Sequence, residues 1–286
     1  MKVGFVVYTE YEMNRNEFFI DKLLAAAYKF SIKLIPVIFE KIKISSEKNN
    51  RTICYDGKII DYPDFVIMRM MNYNLAKMFE NMGIKVFNSS EISKIADNKY
   101  LTYLKMKEIG VPVMDTFLNT DISDGSLFYP NVTKPIDSKG GDRVYYNASI
   151  NEYRKNIENY NDTNFIVQKV ASDIGKDLRV YVIGQEIVTS ILRTSKDGFL
   201  SNFCRGGSAT IYKLNREEIN IVRHIMKYIK FDYAGIDFVF DNGKIILNEI
   251  ENVVGARMVY SKTNINIAEM LMKYIDSTIK FKLNFK

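Results

Sequence analysis

The apolar and polar positions of the chain follow two regimes. Up to about residue 90, short apolar runs alternate with stretches of helical period. Lys2–Tyr8 is a β-rich run, and Phe18, Phe19, Leu23, Leu24, Ala27 and Phe30 then recur at helical spacing within Arg15–Phe30. Lys33–Phe39 reads as a second strand, followed by Asp64–Met70 as a strand, Leu75–Met82 as a helix and Lys85–Asn88 as a short strand. Strands separated by helices predict a small parallel α/β unit. No Gly-rich turn follows the first strand, so the fingerprint of dinucleotide binding is absent.

Beyond residue 98 the pattern turns antiparallel. A helix over Asn98–Ile109 is stopped by Gly110, with Pro112 two residues on. Strands are predicted at Val132–Pro135, Phe165–Val170, Leu178–Ile183, Glu186–Leu192, Gly235–Phe240 and Lys244–Glu251, with helices over Ile150–Tyr160, Arg216–Ile229 and Ile265–Ile279. The expected organisation is an N-terminal α/β domain over 1–90 and an α+β remainder over 91–286, the latter split into subdomains of about 98–168 and 169–286.

Composition narrows the function. With 286 residues, 47% hydrophobic and 26% charged, the chain has a normal globular balance, which excludes disorder as its main state. Its apolar stretches are too short and too charged to cross a bilayer and no basic-then-apolar leader opens it, so a cytoplasmic protein without membrane contact is expected. Only Cys54 and Cys204 occur, which excludes a disulfide framework or cysteine-built metal site. The single histidine, His224, weakens a serine or cysteine hydrolase reading and is expected to be a partly exposed helix residue. A net charge of +6 favours anionic partners without saying which, and a general bias toward Lys, Asn, Ile and Tyr accounts for much of it. Tyr145, Tyr146, Tyr153 and Tyr160 lie among basic residues, yet no groove-forming module accompanies them, so nucleic acid is not the expected partner. Homo-oligomer formation stays open.

The densest chemistry lies at Asp237–Glu251. Two strands flank Asp241-Asn242-Gly243, which is hairpin chemistry. Glu249 and Glu251, two apart, leave the same face of their strand. A two-residue Asn242-Gly243 turn would put Asp237 opposite Asn248 and facing away from both glutamates. A three-residue loop would put it opposite Leu247, diagonal to Glu249, so only the odd loop is expected to gather three acids. Three carboxylates on a surface otherwise made of Val239, Ile245 and Leu247 would repel unless a cation neutralised them, and all-oxygen ligands suit Mg²⁺; the alternative is a solvent-facing edge with scattered acids. A second cluster runs from Lys134 to Arg143, where Ser138-Lys139-Gly140-Gly141 offers unobstructed backbone N–H groups along with the ammonium groups of Lys134 and Lys139, as a polyphosphate requires. The alternative there is a plain turn. A third set comprises Asp177-Leu178-Arg179, Arg193 and Ser201-Asn202-Phe203-Cys204-Arg205-Gly206-Gly207. Because Gly184-Gln185 lies midway, Arg179 and Arg193 are expected near one end of a shared hairpin, where bidentate donors suit a phosphoryl group in transfer.

In this order, these stretches resemble the ATP-grasp superfamily of carboxylate–amine ligases, and within it the RimK-like glutamate ligases. The resemblance runs from Val66–Met70 with Arg69 and Phe87-Asn88-Ser89 through Asn98-Lys99 to Ala234–Asp237 and Glu249–Gly255. It implies an ATP-grasp fold in which two α+β subdomains clasp ATP, behind a small N-terminal α/β domain. It further implies that Lys99 and Lys134 reach the phosphates under a lid of Lys139, Gly140 and Gly141. Gln168, Lys169 and Val170 would meet the adenine, Asp177 the ribose, and Ser201 the nucleotide. Asp237, Glu249 and Glu251 would hold Mg²⁺, with Mn²⁺ as a substitute, while Arg193, Arg205 and Asn202 would steady the transferred group.

Two departures bear on this. The resemblance leads one to expect Asn where Glu251 stands, with Asn252 as a substitute ligand, and Asp and a basic residue where Asn98 and Leu200 stand. The expected reaction joins a carboxylate to an amine through an acyl phosphate with release of ADP, adding glutamate or another amino acid to a peptide, protein or small metabolite. The alternative is a nucleotide-binding protein that keeps the fold without ligation.

Overall fold

The computed structural model describes residues 1–47, 50–119, 127–138, 140–161, 163–195 and 208–283. Strand β1 (Lys2–Tyr8) leads through α1 (Glu10–Arg15) and α2 (Glu17–Lys29) to β2 (Ile32–Ile38). The single helix expected over Arg15–Phe30 is thus two, because Asn16 ends α1 and begins α2, a position its side chain tolerates better than a helix interior. The meander β3 (Ile42–Glu47), β4 (Asn50–Tyr55) and β5 (Lys58–Ile60) was not foreseen. The chain then returns through β6 (Phe65–Met68), α3 (Tyr73–Asn81) and β7 (Lys85–Phe87) to complete a parallel sheet of order β2-β1-β6-β7.

Two short helices, α4 (Ser90–Ala96) and α5 (Lys99–Glu108), lead into an antiparallel sheet. It comprises β8 (Thr116–Leu118), β9 (Asn131–Pro135), β10 (Tyr145–Asn147) and, after α6 (Ile150–Ile157), β11 (Phe165–Lys169), in the order β10-β9-β11-β8. A second antiparallel sheet follows, from β12 (Lys176–Ile183), β13 (Glu186–Thr194), β14 (Ser208–Ile211), β15 (Tyr233–Asp241) and β16 (Lys244–Glu251). Its order is β14-β13-β12-β15-β16, with α7 (Arg216–Tyr228) between β14 and β15 in the chain. Helices α8 (Arg257–Lys262) and α9 (Ile267–Leu283) end the fold. Among the described residues no helix is long and apolar enough to cross a membrane.

The five-stranded sheet is covered on both faces. Leu178, Val180 and Val182 of β12 and Ile236 and Phe238 of β15 share a core with Val222, Ile225 and Met226 of α7. On the other face, Tyr181, Ile183 and Ile191 share a core with Leu271, Met272 and Ile275 of α9 and with Phe19 and Leu23 of α2. That second face carries Asp177, Arg179, Arg193 and Asp237 nearer the opposite strand ends, so strand alternation delivers the charged groups to one region.

Candidate functional site

The β15–β16 hairpin resolves the question of the three acids in a way neither loop alternative anticipated. Asp241 pairs with Lys244, so the turn is the two-residue Asn242-Gly243, with φ of 50° and 75° at its two residues. Phe238 pairs with Leu247, but Asp237 pairs with Glu249, because a bulge at Asn248 absorbs one residue. The expectation that only a three-residue loop would gather the acids is therefore corrected. Ile245 and Leu247 point into the α7 core and so does Ile250, so Glu249 and Glu251 emerge on the opposite face, beside Asp237. Ile245 and Leu247 thus do not share the acids' face, contrary to the expectation from unbroken alternation. One oxygen each of Asp237, Glu249 and Glu251 lies within 4.8 Å of the others.

Guanidinium groups brace this cluster. Arg179 donates from Nε to Asp237 Oδ1 at 2.7 Å and from Nη2 to Asp237 Oδ2 at 2.6 Å and Glu251 Oε2 at 2.7 Å. Arg193, opposite Asp177 in the ladder, donates to both Asp177 oxygens and from Nη2 to Asp237 Oδ2 at 2.8 Å. Burial raises the pKa of Asp237, but the two guanidinium groups outweigh it and hold the carboxyl below its ordinary value. Arg179, expected beside Arg193 as a donor to a phosphoryl group, is here bonded to the acids themselves. Glu251 is Arg179's second partner. Asn252 does not turn toward the acids: its amide nitrogen donates to Ser93 Oγ at 2.9 Å and its Oδ1 accepts from Asn88, so it is no substitute ligand in this arrangement.

A cleft enclosing about 910 Å³ of empty space, partly open to solvent, lies between the two antiparallel sheets. Its wall includes Lys99, Lys134, Gly141, Gln168, Lys169, Val170, Asp177, Arg193 and Glu249, all expected from the sequence. Lys99 opens α5, whose start is capped by Asn98 accepting from Leu101 N at 3.0 Å; Asn serves there as well as the expected Asp. Lys99 Nζ donates to the carbonyl of Ser138 and lies 3.9 Å from Glu249 Oε2. Lys134 Nζ donates to Asn248 Oδ1 at 2.9 Å and lies over the Tyr103 ring. Burial lowers its pKa to about 8, against the opposing pull of Glu249. Gly140 and Gly141 both adopt positive φ, 68° and 75°. Gln168 donates to Thr116 Oγ1 at 3.1 Å, which leaves the edge after β11, at Lys169 and Val170, facing the cleft. Asp177 reaches the wall with both oxygens engaged by Arg193, so a ribose hydroxyl would share that carboxylate. Lys139, Leu200, Ser201, Asn202 and Arg205 lie outside the described residues.

The sequence reading missed Asn248 and Tyr103. For Asn248 a signal existed: apolar positions switch from Ile245 and Leu247 to Ile250, a phase change that marks a bulge. Tyr103 carries no such pattern.

Comparison with known proteins agrees with this geometry. Residues 98–275 match the RimK-like ATP-grasp domain family. A probable alpha-L-glutamate ligase of Methanococcoides burtonii is 29% identical over 265 residues, which cover 87% of each chain. The D-alanyl-alanine synthetase A of Vibrio cholerae superposes with a TM-score of 0.75 at 15% identity, over 97% of this chain and 98% of that one. The ATP-grasp ligase PsnB, solved with a minimal precursor, Mg and ADP, superposes with a TM-score of 0.70 at 16% identity, over 97% and 98%. At these identities the two structures speak to fold.

Proposed function

The chain belongs to the RimK-like ATP-grasp family and is an ATP-dependent carboxylate–amine ligase, and from that premise we propose that it joins an amino acid, glutamate foremost, to the end of a peptide or protein or to a small metabolite. The observation that carries this reading is the meeting of three carboxylates, two arginines and two lysines beside one cleft, whose wall takes in Glu249, Arg193, Lys99 and Lys134.

In this reading the adenine meets the Gln168–Val170 edge, and Lys99 and Lys134 bind the phosphates beneath Lys139, Gly140 and Gly141. Asp177 contacts the ribose while orienting Arg193, and Ser201 adds a nucleotide contact. The donor set fits Mg²⁺, since all three candidate ligands are carboxylates and at least four cationic side chains limit their repulsion. Asp237, Glu249 and Glu251 would hold the ion, which when bound neutralises charge on the phosphates; Mn²⁺ would fit the same oxygens. The γ-phosphoryl passes to the substrate carboxylate as ADP leaves, and the amine then attacks the acyl carbon and expels phosphate, losing a proton as the amide forms. Arg193, Arg205 and Asn202 steady the transferred group. No protein nucleophile is needed, so catalysis rests on positioning and charge.

ADP release measured against a panel of amino acids paired with short acidic peptides tests this. The expected result is turnover only when both a carboxylate and an amine acceptor are present. Equal turnover with glutamate absent from every pair would contradict the glutamate assignment.

A further inference from the structure

Asn88 ties the end of the N-terminal parallel sheet to the strand ends that carry the acid cluster. Asn88 directly follows β7 and is 4% exposed. Its Oδ1 accepts from the backbone N–H of Asp232 at 2.7 Å and of Tyr233 at 3.0 Å. Its Nδ2 donates to the carbonyl of Tyr233 at 2.6 Å, and to the carbonyl and Oδ1 of Asn252 at 3.2 and 2.8 Å. Asp232 and Tyr233 lie at the start of β15, and Asn252 immediately follows Glu251 at the end of β16.

The backbone ladder between β15 and β16 ends at the Gly235–Glu251 pair. Beyond it a single carboxamide, with a peptide group's donors and acceptor, bridges the two strand ends. The site is buried, so each of these bonds resists being given up. Arg69, just past β6, adds a second grip by donating to the Val254 carbonyl at 2.8 Å. Both holds come from the first 90 residues, and both act on the segment that leaves Glu251.

We propose that Asn88 is a positioning residue for the divalent cation: it fixes the separation and tilt of the strand ends that carry Asp237, Glu249 and Glu251, making the N-terminal sheet part of the cation site although it supplies no ligand. This inference rests on the cation reading of those three acids.

The test titrates the full chain with Mn²⁺, followed by electron paramagnetic resonance, without nucleotide and with saturating ADP. Asn88→Ala is expected to raise the Mn²⁺ dissociation constant about tenfold or more, the loss typical of removing a partner that orients metal ligands. ADP affinity measured in EDTA stays within twofold. Val222→Ala, in the α7 core on the other face of the sheet, lowers the melting temperature without moving Mn²⁺ affinity. An Asn88→Ala protein that binds Mn²⁺ within twofold of the parent overturns the proposal, as does the same rise in Val222→Ala. Should Asn88→Ala not fold, Asn252→Ala removes its side-chain partner and is read by the same criterion. Glu249→Ala separates the two layers: unchanged Mn²⁺ binding there sinks the cation reading itself, whereas a loss there without a loss in Asn88→Ala sinks only the role of Asn88.

Discussion

Lys134 shows what the site demands of a single residue. Its ammonium is buried and its pKa is lowered to about 8, so the folded state holds this proton more weakly than the unfolded chain does. Between about pH 8 and the ordinary lysine value the unfolded chain binds more protons, so this group's contribution to stability rises with pH across that window. At pH 7 the buried charge is a cost. Lys134→Met is therefore expected to raise the melting temperature at pH 7 while weakening ATP binding at least tenfold, by calorimetry. In the parent, ATP affinity falls as pH rises above about 8, and Lys134→Met lacks this component. Arg179 carries the opposite sign. Removing it in Arg179→Ala strands Asp237 and Glu251 without their shared partner, and the expected loss is about 3–5 kcal/mol in denaturant unfolding. An Arg179→Ala protein as stable as the parent would contradict the bracing role. Most lining residues were legible because charge and glycine in apolar surroundings stand out. Asp177 and Arg179 were legible as residues, but their partners, Arg193 for the one and Asp237 and Glu251 for the other, were not, since which acid an arginine meets depends on strand register.

At the level of elements, the β15–β16 hairpin decides the chemistry. Its strands and its Asn242-Gly243 turn could be read from the sequence, but its register was missed, because unbroken alternation overlooks the phase change by which the bulge admits one extra residue. Unbroken alternation from the turn aimed Asp237 away from the glutamates; the bulge at Asn248 brings them together. Deleting Asn248 is expected to let the ladder run directly from Phe238–Leu247 to Asp237–Glu249 and so keep the acids on one face. Mn²⁺ binding then survives within a few-fold, while ATP affinity drops because Lys134 loses its Asn248 partner. Loss of Mn²⁺ binding with retained ATP affinity would contradict this account of the bulge. The β3–β5 meander escaped notice for a different reason: charged and polar residues interrupt its short apolar runs, such as Ile42-Lys43-Ile44, leaving little periodicity to detect.

Across the whole molecule, the parallel sheet and the five-stranded sheet are bound into one core by α2 and α9. Truncating a residue at that seam is expected to destabilise both together: Leu271→Ala should cost about 2–5 kcal/mol and still give a single unfolding transition by circular dichroism and tyrosine fluorescence. Two separated transitions would show that the sheets are held independently. The α/β order of the first 90 residues and the antiparallel remainder were legible because hydrophobic period survives in most of their longer strands and helices. The meeting of the sheets around a cleft was expected only through the family resemblance, since contacts between distant segments leave no local pattern. The central claim, that a substrate carboxylate takes the γ-phosphoryl of ATP before an amine displaces it, is tested most directly by oxygen transfer. Turnover of ATP with both candidate substrates labelled with ¹⁸O in all their carboxylates is predicted to deliver one labelled oxygen to the released phosphate. Amide formation with no label in the phosphate would contradict it.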